Sequence, residues 1–235
     1  VSVAAGRGVG GGSLINSAIC WRTPDHVLEG WTPILGGDDR FSPENMAPVF
    51  DEIEEIIEVV DTPDSIAGEN NRIIVRGAEA LGLPGGLLRR NTPRCQGCGI
   101  CNFGCPSGGK ASMDMNLLPM ARAAGTIIQA DTRVDEVLLE GGRAVGIRGR
   151  VRHPDTSEEV GQLTVLADAV VVAAGAVGTP RLLLEAGLGA QLGPAVGKGL
   201  HLHPGNGVFG WREEPVNMWL GATQGAYFED PALPG

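Results

Sequence analysis

Cys95, Cys98, Cys101 and Cys105, followed by Pro106, stand in the pattern C-x2-C-x2-C-x3-C-P. Thiols this close, spaced by Gly97, Gly99 and Gly104, can turn inward on one inorganic centre. The spacing is that of bacterial ferredoxins, whose fourth cysteine in such a run serves a second cluster. One run therefore supplies three ligands to one centre, and Cys20 is the only other cysteine here. A three-iron cluster, or a fourth ligand from elsewhere, would complete an iron–sulfur site. Two other chemistries fit the same residues: disulfides or free thiols, and a structural zinc site.

A second constellation is the string GRGVGGGSLIN, residues 6–16. Glycine has no Cβ, so backbone amides here can approach a ligand closely. Gly6-x-Gly8-x-x-Gly11 matches the dinucleotide fingerprint in form, with Asp25 or Glu29 near the distance of its acidic partner. The stretch Trp21–Pro33 does not read as the second strand of a βαβ unit, so this is not the first phosphate loop of a Rossmann fold. The structural alternative is a tight turn packing helix against sheet. His201 and His203 would share a face on a strand, but no carboxylate or further histidine stands at ligand spacing. His26 and His153 read as surface residues, and no catalytic base is assigned.

These groups sit in a chain of 235 residues, one to two domains at ~150 residues each. An apolar content of 43% excludes a disordered chain. A net charge of −10 argues against nucleic acid and against an anionic membrane surface as partners. No apolar run is long enough to form a transmembrane segment. The count of 37 glycines, with no repeat, implies many tight turns or backbone held close to something. The chain opens without Met or a signal-peptide layout, and YFEDPALPG ends without a closing element, so it reads as a fragment.

Ser42 and Pro43 open a helix over about 43–60, with Met46, Val49, Phe50, Ile53, Ile56, Ile57 and Val60 recurring at three to four residue steps. A second helix is expected at about 70–82, closed by Gly82 and Pro84, and a third at about 113–124, bent by Pro119. Residues 21–42 read as irregular. Thr126–Ala130 is expected as a short strand. Arg133–Glu140 and Arg143–Val151 form a hairpin on Gly141-Gly142, and Leu163–Leu166 adds a strand. Ala169–Ala173 has the continuous apolar character of a strand buried on both faces. Gly175–Gly178 then turns into a helix at Thr179–Ala186, with Pro180 first. The mixture is α/β, or α+β mixed, around a buried sheet.

Two strings now acquire a common meaning. GRGVGGGSLIN resembles the first signature of the glucose–methanol–choline (GMC) flavin oxidoreductases, and GAVGTPRLLLEAGLG, residues 175–189, resembles the second. The cysteine-rich loop, LLPMARAAGTIIQADTRVDEVLLEGGRAVGI and VGKGLHLHP are also similar to the family, closest to its long-chain and bulky alcohol oxidases and dehydrogenases. Cys20 and Ala186 depart from the signatures, which usually hold an aromatic or Ala, and Ser, at those positions.

The resemblance implies FAD and the oxidation of an alcohol CH–OH group to a carbonyl, with hydride passing to flavin. It places Gly10, Gly11, Gly12, Ser13 and Asn16 along the pyrophosphate and isoalloxazine side. It places the Val134 backbone at the adenine end, and Ala174, Gly175 and Gly178 near the ADP portion. Simple hairpin packing is the alternative for Val134, and a tight strand-to-helix turn for Gly175 and Gly178. The implied fold is an incomplete FAD-binding Rossmann-like domain: a parallel sheet, a β-hairpin section and helical excursions. It spans 1–200, with the excursion at 21–90 and the cysteine-rich loop at 91–112, and 201–235 begins a substrate-binding domain. The initial nucleotide loop is expected upstream, and the catalytic His with its His or Asn partner downstream. An iron–sulfur cluster, if held, would pass electrons from reduced flavin to an acceptor, as a dehydrogenase does. The competing classes are an iron–sulfur electron-transfer module and an NAD(P)-dependent Rossmann dehydrogenase built on Gly6–Gly11.

Overall fold

A computed structural model describes residues 5–202, 205 and 207–232. The chain forms two compact units, Val1–Ile127 with Trp211–Gly235, and Ile128–Gly210.

The first unit begins with a single 3₁₀ turn at Gly11–Leu14. Helix α1 (Asp25–Ile34) follows, then α2 (Pro43–Ile56), strand β1 (Val60–Asp61), and helices α3 (Asp64–Ala67) and α4 (Glu69–Leu81). Strands β2 (Gly85–Leu87) and β3 (Arg89–Arg90) precede α5 (Leu117–Ala123). The second unit holds β4 (Thr132–Glu140), β5 (Arg143–Arg152), β6 (Glu159–Leu166), α6 (Gly175–Glu185) and α7 (Gly189–Leu192). Strand β7 (Ala226–Phe228) belongs again to the first unit.

Local chemistry sets several helix ends. The Ser42 hydroxyl accepts the Asn45 N–H at 3.4 Å, and Pro43 takes the first position of α2, where no N–H is needed. The helix stops at Ile56, short of residue 60, because Glu58 turns to φ 56° and Val60 leaves to pair with Arg90. Helix α4 ends at Gly82, whose φ of 65° is the left-handed C-cap that glycine adopts without penalty. Helix α5 starts later than expected, where the Asn116 side chain accepts the Leu117 N–H at 2.6 Å. Pro119 then falls in its first turn, where a missing N–H has no intrahelical partner to lose. Helix α1 corrects the irregular reading of residues 21–42: Leu28 is buried, and Trp31 packs edge-on against Phe41 with centroids 6.3 Å apart.

The core of the first unit is made of small and polar groups, among them Ala67, Ala78, Ala111, Ala222, Asn71 and Asn91. Asn71 joins α4 to the returning chain: its amide donates to Ala67 O at 2.6 Å and Ala222 O at 2.7 Å and accepts the Gly225 N–H at 2.8 Å. A Cβ at Gly221 would lie 2.6 Å from Ala67 O, so glycine permits this close approach. Strands β1 and β3 pair antiparallel, as do β2 and β7.

The second unit is a three-stranded antiparallel sheet in the order β4-β5-β6, with α6 packed on β4. Gly141 (φ 57°) and Gly142 (φ 82°) both take left-handed conformations, as a two-residue type I′ hairpin turn requires. Three expectations change. Thr126–Ala130 forms no ladder. Ala169–Ala173 is not a paired strand: among the described residues it has no ladder partner, and Val171 is exposed. The preceding strands satisfy one another as antiparallel hairpins, so every named ladder among the described residues is antiparallel and no parallel sheet forms. Helix α6 begins at Gly175 rather than Thr179, placing Pro180 inside it.

Candidate cofactor site

In the first unit the glycine string folds back on itself. The Gly11 N–H donates to Gly8 O at 3.0 Å, and the Asn16 N–H to Gly12 O at 3.0 Å. A Cβ on Gly6 would meet Gly11 O at 2.7 Å, so this position tolerates glycine alone. Gly10 and Gly11 sit at φ 111° and 58°. Gly12 differs: its φ lies outside the left-handed range, and a Cβ there meets nothing within 4 Å. Among the described residues no packing contact demands a glycine at residue 12. The Ser13 hydroxyl donates to Gly10 O at 2.7 Å and accepts the Met113 N–H at 3.0 Å. The Asn16 side chain accepts the Ala18 N–H at 3.1 Å. Gly10, Gly11, Gly12, Ser13 and Asn16 are thus brought together in one turn.

The cysteine loop lies against that turn. A cavity of about 360 Å³ is lined by Leu14, Ile15, Cys105, Lys110, Ser112 and Asp114 among others. All five cysteines are free thiols. Three thiols of the run face different partners. Cys95 Sγ accepts the Gly97 N–H at 3.4 Å, Cys101 Sγ accepts from Arg90 Nη2 at 3.2 Å, and Cys105 Sγ accepts the Lys110 N–H at 3.3 Å. Cys98 is exposed. Among the described residues no three His, Cys, Asp or Glu side chains converge as a metal site would need. Burial pushes the Cys105 thiol up, but hydrogen bonds from Ser107 and from the backbone of Lys110 and Gly109 outweigh it and leave the thiol below its usual range. Burial raises Cys20. His201 is exposed, and His203 lies outside the described residues.

Two buried cations escaped the sequence reading. Arg90 is fully buried and Lys110 nearly so. Burial lowers the Lys110 amine below its ordinary range, opposed by Cys101 and Cys105. Neither cation carried a signal in a single sequence, because each resembles any surface basic residue.

In the second unit Val134 and Ala174 line one apolar groove of about 400 Å³, with Ile147, Val165, Val172 and Leu182. Val134 pairs with Gly149 just before a bulge in β4. Gly175 has φ 81° and open space beside it, and a Cβ on Gly178 would lie 3.1 Å from the Ala174 Cβ. The Ala174 N–H donates to Thr179 Oγ1 at 2.9 Å. Val134, Ala174, Gly175 and Gly178 are therefore neighbours around the start of α6.

The profile of the GMC oxidoreductase family matches residues 1–205. The chain belongs to that family. Among GMC relatives, an uncharacterized GMC-type oxidoreductase of Mycobacterium tuberculosis is 39% identical over 94% of this chain and 34% of its own length. One of Sinorhizobium fredii is 34% identical over 92% of this chain and 41% of its own. A long-chain-alcohol oxidase of Arabidopsis thaliana is 29% identical over 93% of this chain and 29% of its own. The chain spans about a third of the length of these relatives. The crystal structure of pyridoxine 4-oxidase from Mesorbium loti shares the fold, with a TM-score of 0.57 at 20% identity over 78% of this chain and 37% of that one.

Proposed function

We propose that the whole protein is an FAD-dependent oxidoreductase that oxidises the CH–OH group of a small-molecule alcohol to a carbonyl, with this chain supplying cofactor-binding residues. Family membership supports the oxidoreductase and its flavin. Similarity to long-chain-alcohol oxidases supports an apolar alcohol as substrate. The observation that carries the reading is Gly12, an open glycine that the chain's own packing does not need.

FAD, when bound, supplies the hydride acceptor for oxidation of the alcohol carbon. The chain's residues bind and orient it. Gly10, Gly11 and Gly12 let backbone amides come within reach of phosphate oxygens. The Ser13 hydroxyl, fixed between Gly10 O and the Met113 N–H, holds the turn in shape. Asn16 closes the same turn. In the second unit Val134 and Ala174 line the groove that would take the ADP portion, with Gly175 and Gly178 in the first turn of α6 beside Ala174. Residues 1–200 are read as part of the FAD-binding domain and 201–235 as the opening of a substrate-binding domain. No residue here is assigned as the base.

The cysteine run carries the finer iron–sulfur reading on its spacing alone. Three of its sulfurs face separate hydrogen-bond donors. One experiment separates the readings. The full-length protein, purified anaerobically, is expected to show an oxidised-flavin spectrum that bleaches with primary alcohols. Iron and labile sulfide are assayed on the same sample, and an electron-transfer module would show them without flavin. A colourless protein that reduces NAD with alcohol overturns the proposal.

A further inference from the structure

We infer that Arg90 and Lys110 are positioning residues for the glycine turn, a buried pair of cations that holds residues 14–17 against the cysteine loop so that the cofactor meets a preformed turn; this rests on the FAD reading above.

The Lys110 ammonium has three N–H donors and three backbone acceptors: Leu14 O at 2.7 Å, Asn16 O at 3.1 Å and Cys101 O at 3.2 Å. Arg90 donates through Nε and Nη2 to Ser17 O, at 3.2 and 2.6 Å, and through Nη2 to Cys101 Sγ at 3.2 Å. Three carbonyls of the four-residue segment after the turn are thus held by two side chains, both anchored on Cys101 as well. Among the described residues neither cation donates a hydrogen bond to a carboxylate, and Arg90 Nη1 is buried with no hydrogen-bond partner. Apolar side chains of this size would hold a segment together at lower desolvation cost. Cations add direction, because each N–H fixes one carbonyl in place.

The frame behind the two side chains is itself tied. Asn91, next to Arg90, donates through Nδ2 to Ala111 O at 2.8 Å, and the Ala111 N–H returns to Asn91 O at 2.9 Å. Asn91 N–H also donates to Ala18 O at 3.2 Å. The Met113 N–H reaches Ser13 Oγ from the same frame. The turn is gripped from this side, while Gly11 and Gly12 meet nothing on theirs. That is the arrangement a ligand-facing ledge needs.

The test compares Lys110→Met and Arg90→Lys with Asn71→Ala, a buried control on α4, all in the full-length enzyme. FAD dissociation constants of the apo proteins come from flavin fluorescence, stability from the apo Tm, and turn geometry from the visible circular dichroism of bound flavin at saturation. Lys110→Met is expected to weaken FAD by about tenfold and to alter the flavin dichroism. Arg90→Lys, which keeps charge but loses the fork, is expected to fall between it and wild type. Asn71→Ala is expected to lower the Tm with less than about a threefold change in FAD affinity. Wild-type affinity and dichroism in Lys110→Met overturns the inference, as does equal weakening in Asn71→Ala. If Lys110→Met does not fold, Lys110→Gln replaces it. Failure of both to fold assigns the cations to folding and overturns the inference too. A wild-type protein without FAD affinity instead overturns the reading it rests on.

Discussion

Glu54 shows how single side chains hold the first unit in shape. Its carboxylate accepts from Arg22 Nε at 2.8 Å and Nη2 at 2.6 Å, and from Arg89 Nη1 at 2.6 Å. The pairing joins α2 to β3 and to the segment that follows the glycine turn. The Arg22 hydrogen bonds, then those of Arg89, outweigh burial and hold the Glu54 carboxyl at about 2, against 4.5 ordinarily. A depressed carboxylate contributes stability above the unfolded value and loses it as pH falls through the folded one. The contribution is therefore full above about pH 5 and fades between roughly 4.5 and 2. Glu54→Gln is expected to lower the Tm by a few degrees at pH 7. The gap to wild type narrows at pH 3, as thermal melts across that range will read. An unchanged gap contradicts the linkage. The arginine partners are partly exposed, which keeps the effect moderate.

At the scale of elements, β5 and β6 answer differently to a side chain added at a glycine. Gly149 faces Arg133 O, and a Cβ there would approach it to 2.5 Å. Gly161 on β6 has nothing within 4 Å and an extended backbone. Gly149→Ala is expected to destabilise by about 1–3 kcal/mol, through a push on the Val134 pair. Gly161→Thr is expected to be neutral or stabilising by up to about 1 kcal/mol. Urea midpoints of the two variants check the contrast, and equal destabilisation contradicts it. The hairpin itself was legible, because Gly141-Gly142 between alternating runs admits few other readings. So were the start of α2 at Ser42-Pro43 and the stop of α4 at Gly82. Helix α1 was not, since Pro24 and Pro33 and the surrounding glycines mask the Leu28–Trp31 face. The strand expected at Ala169–Ala173 failed for a different reason. A buried apolar run signals that partners are needed but not that the chain itself supplies them, and here Val171 is left exposed.

At the scale of the whole molecule, the chain belongs to the GMC oxidoreductase family and each unit holds one glycine-lined neighbourhood. The family resemblance grouped Gly10, Gly11, Gly12, Ser13 and Asn16 along one side of the cofactor, and the fold brings them into one turn. The resemblance set Val134 at the adenine end and Ala174 near the ADP portion, and the fold lines one groove with both. The spacing of the cysteine run reports how near thiols are along the chain but not which donors claim them in space. Arg90 and Lys110 were invisible for the converse reason, their role being fixed by carbonyls distant in sequence.

The account rests on a turn whose open face is kept clear for a nucleotide, and Gly12 tests it most directly. Its backbone is ordinary and its surroundings are empty, so Gly12→Leu adds a side chain that the protein by itself has room for. The measurement is equilibrium titration of the apo full-length enzyme with FAD, alongside the apo Tm. An unchanged Tm with FAD binding weakened by about tenfold or more is the predicted result. Wild-type affinity for FAD in Gly12→Leu would contradict the account.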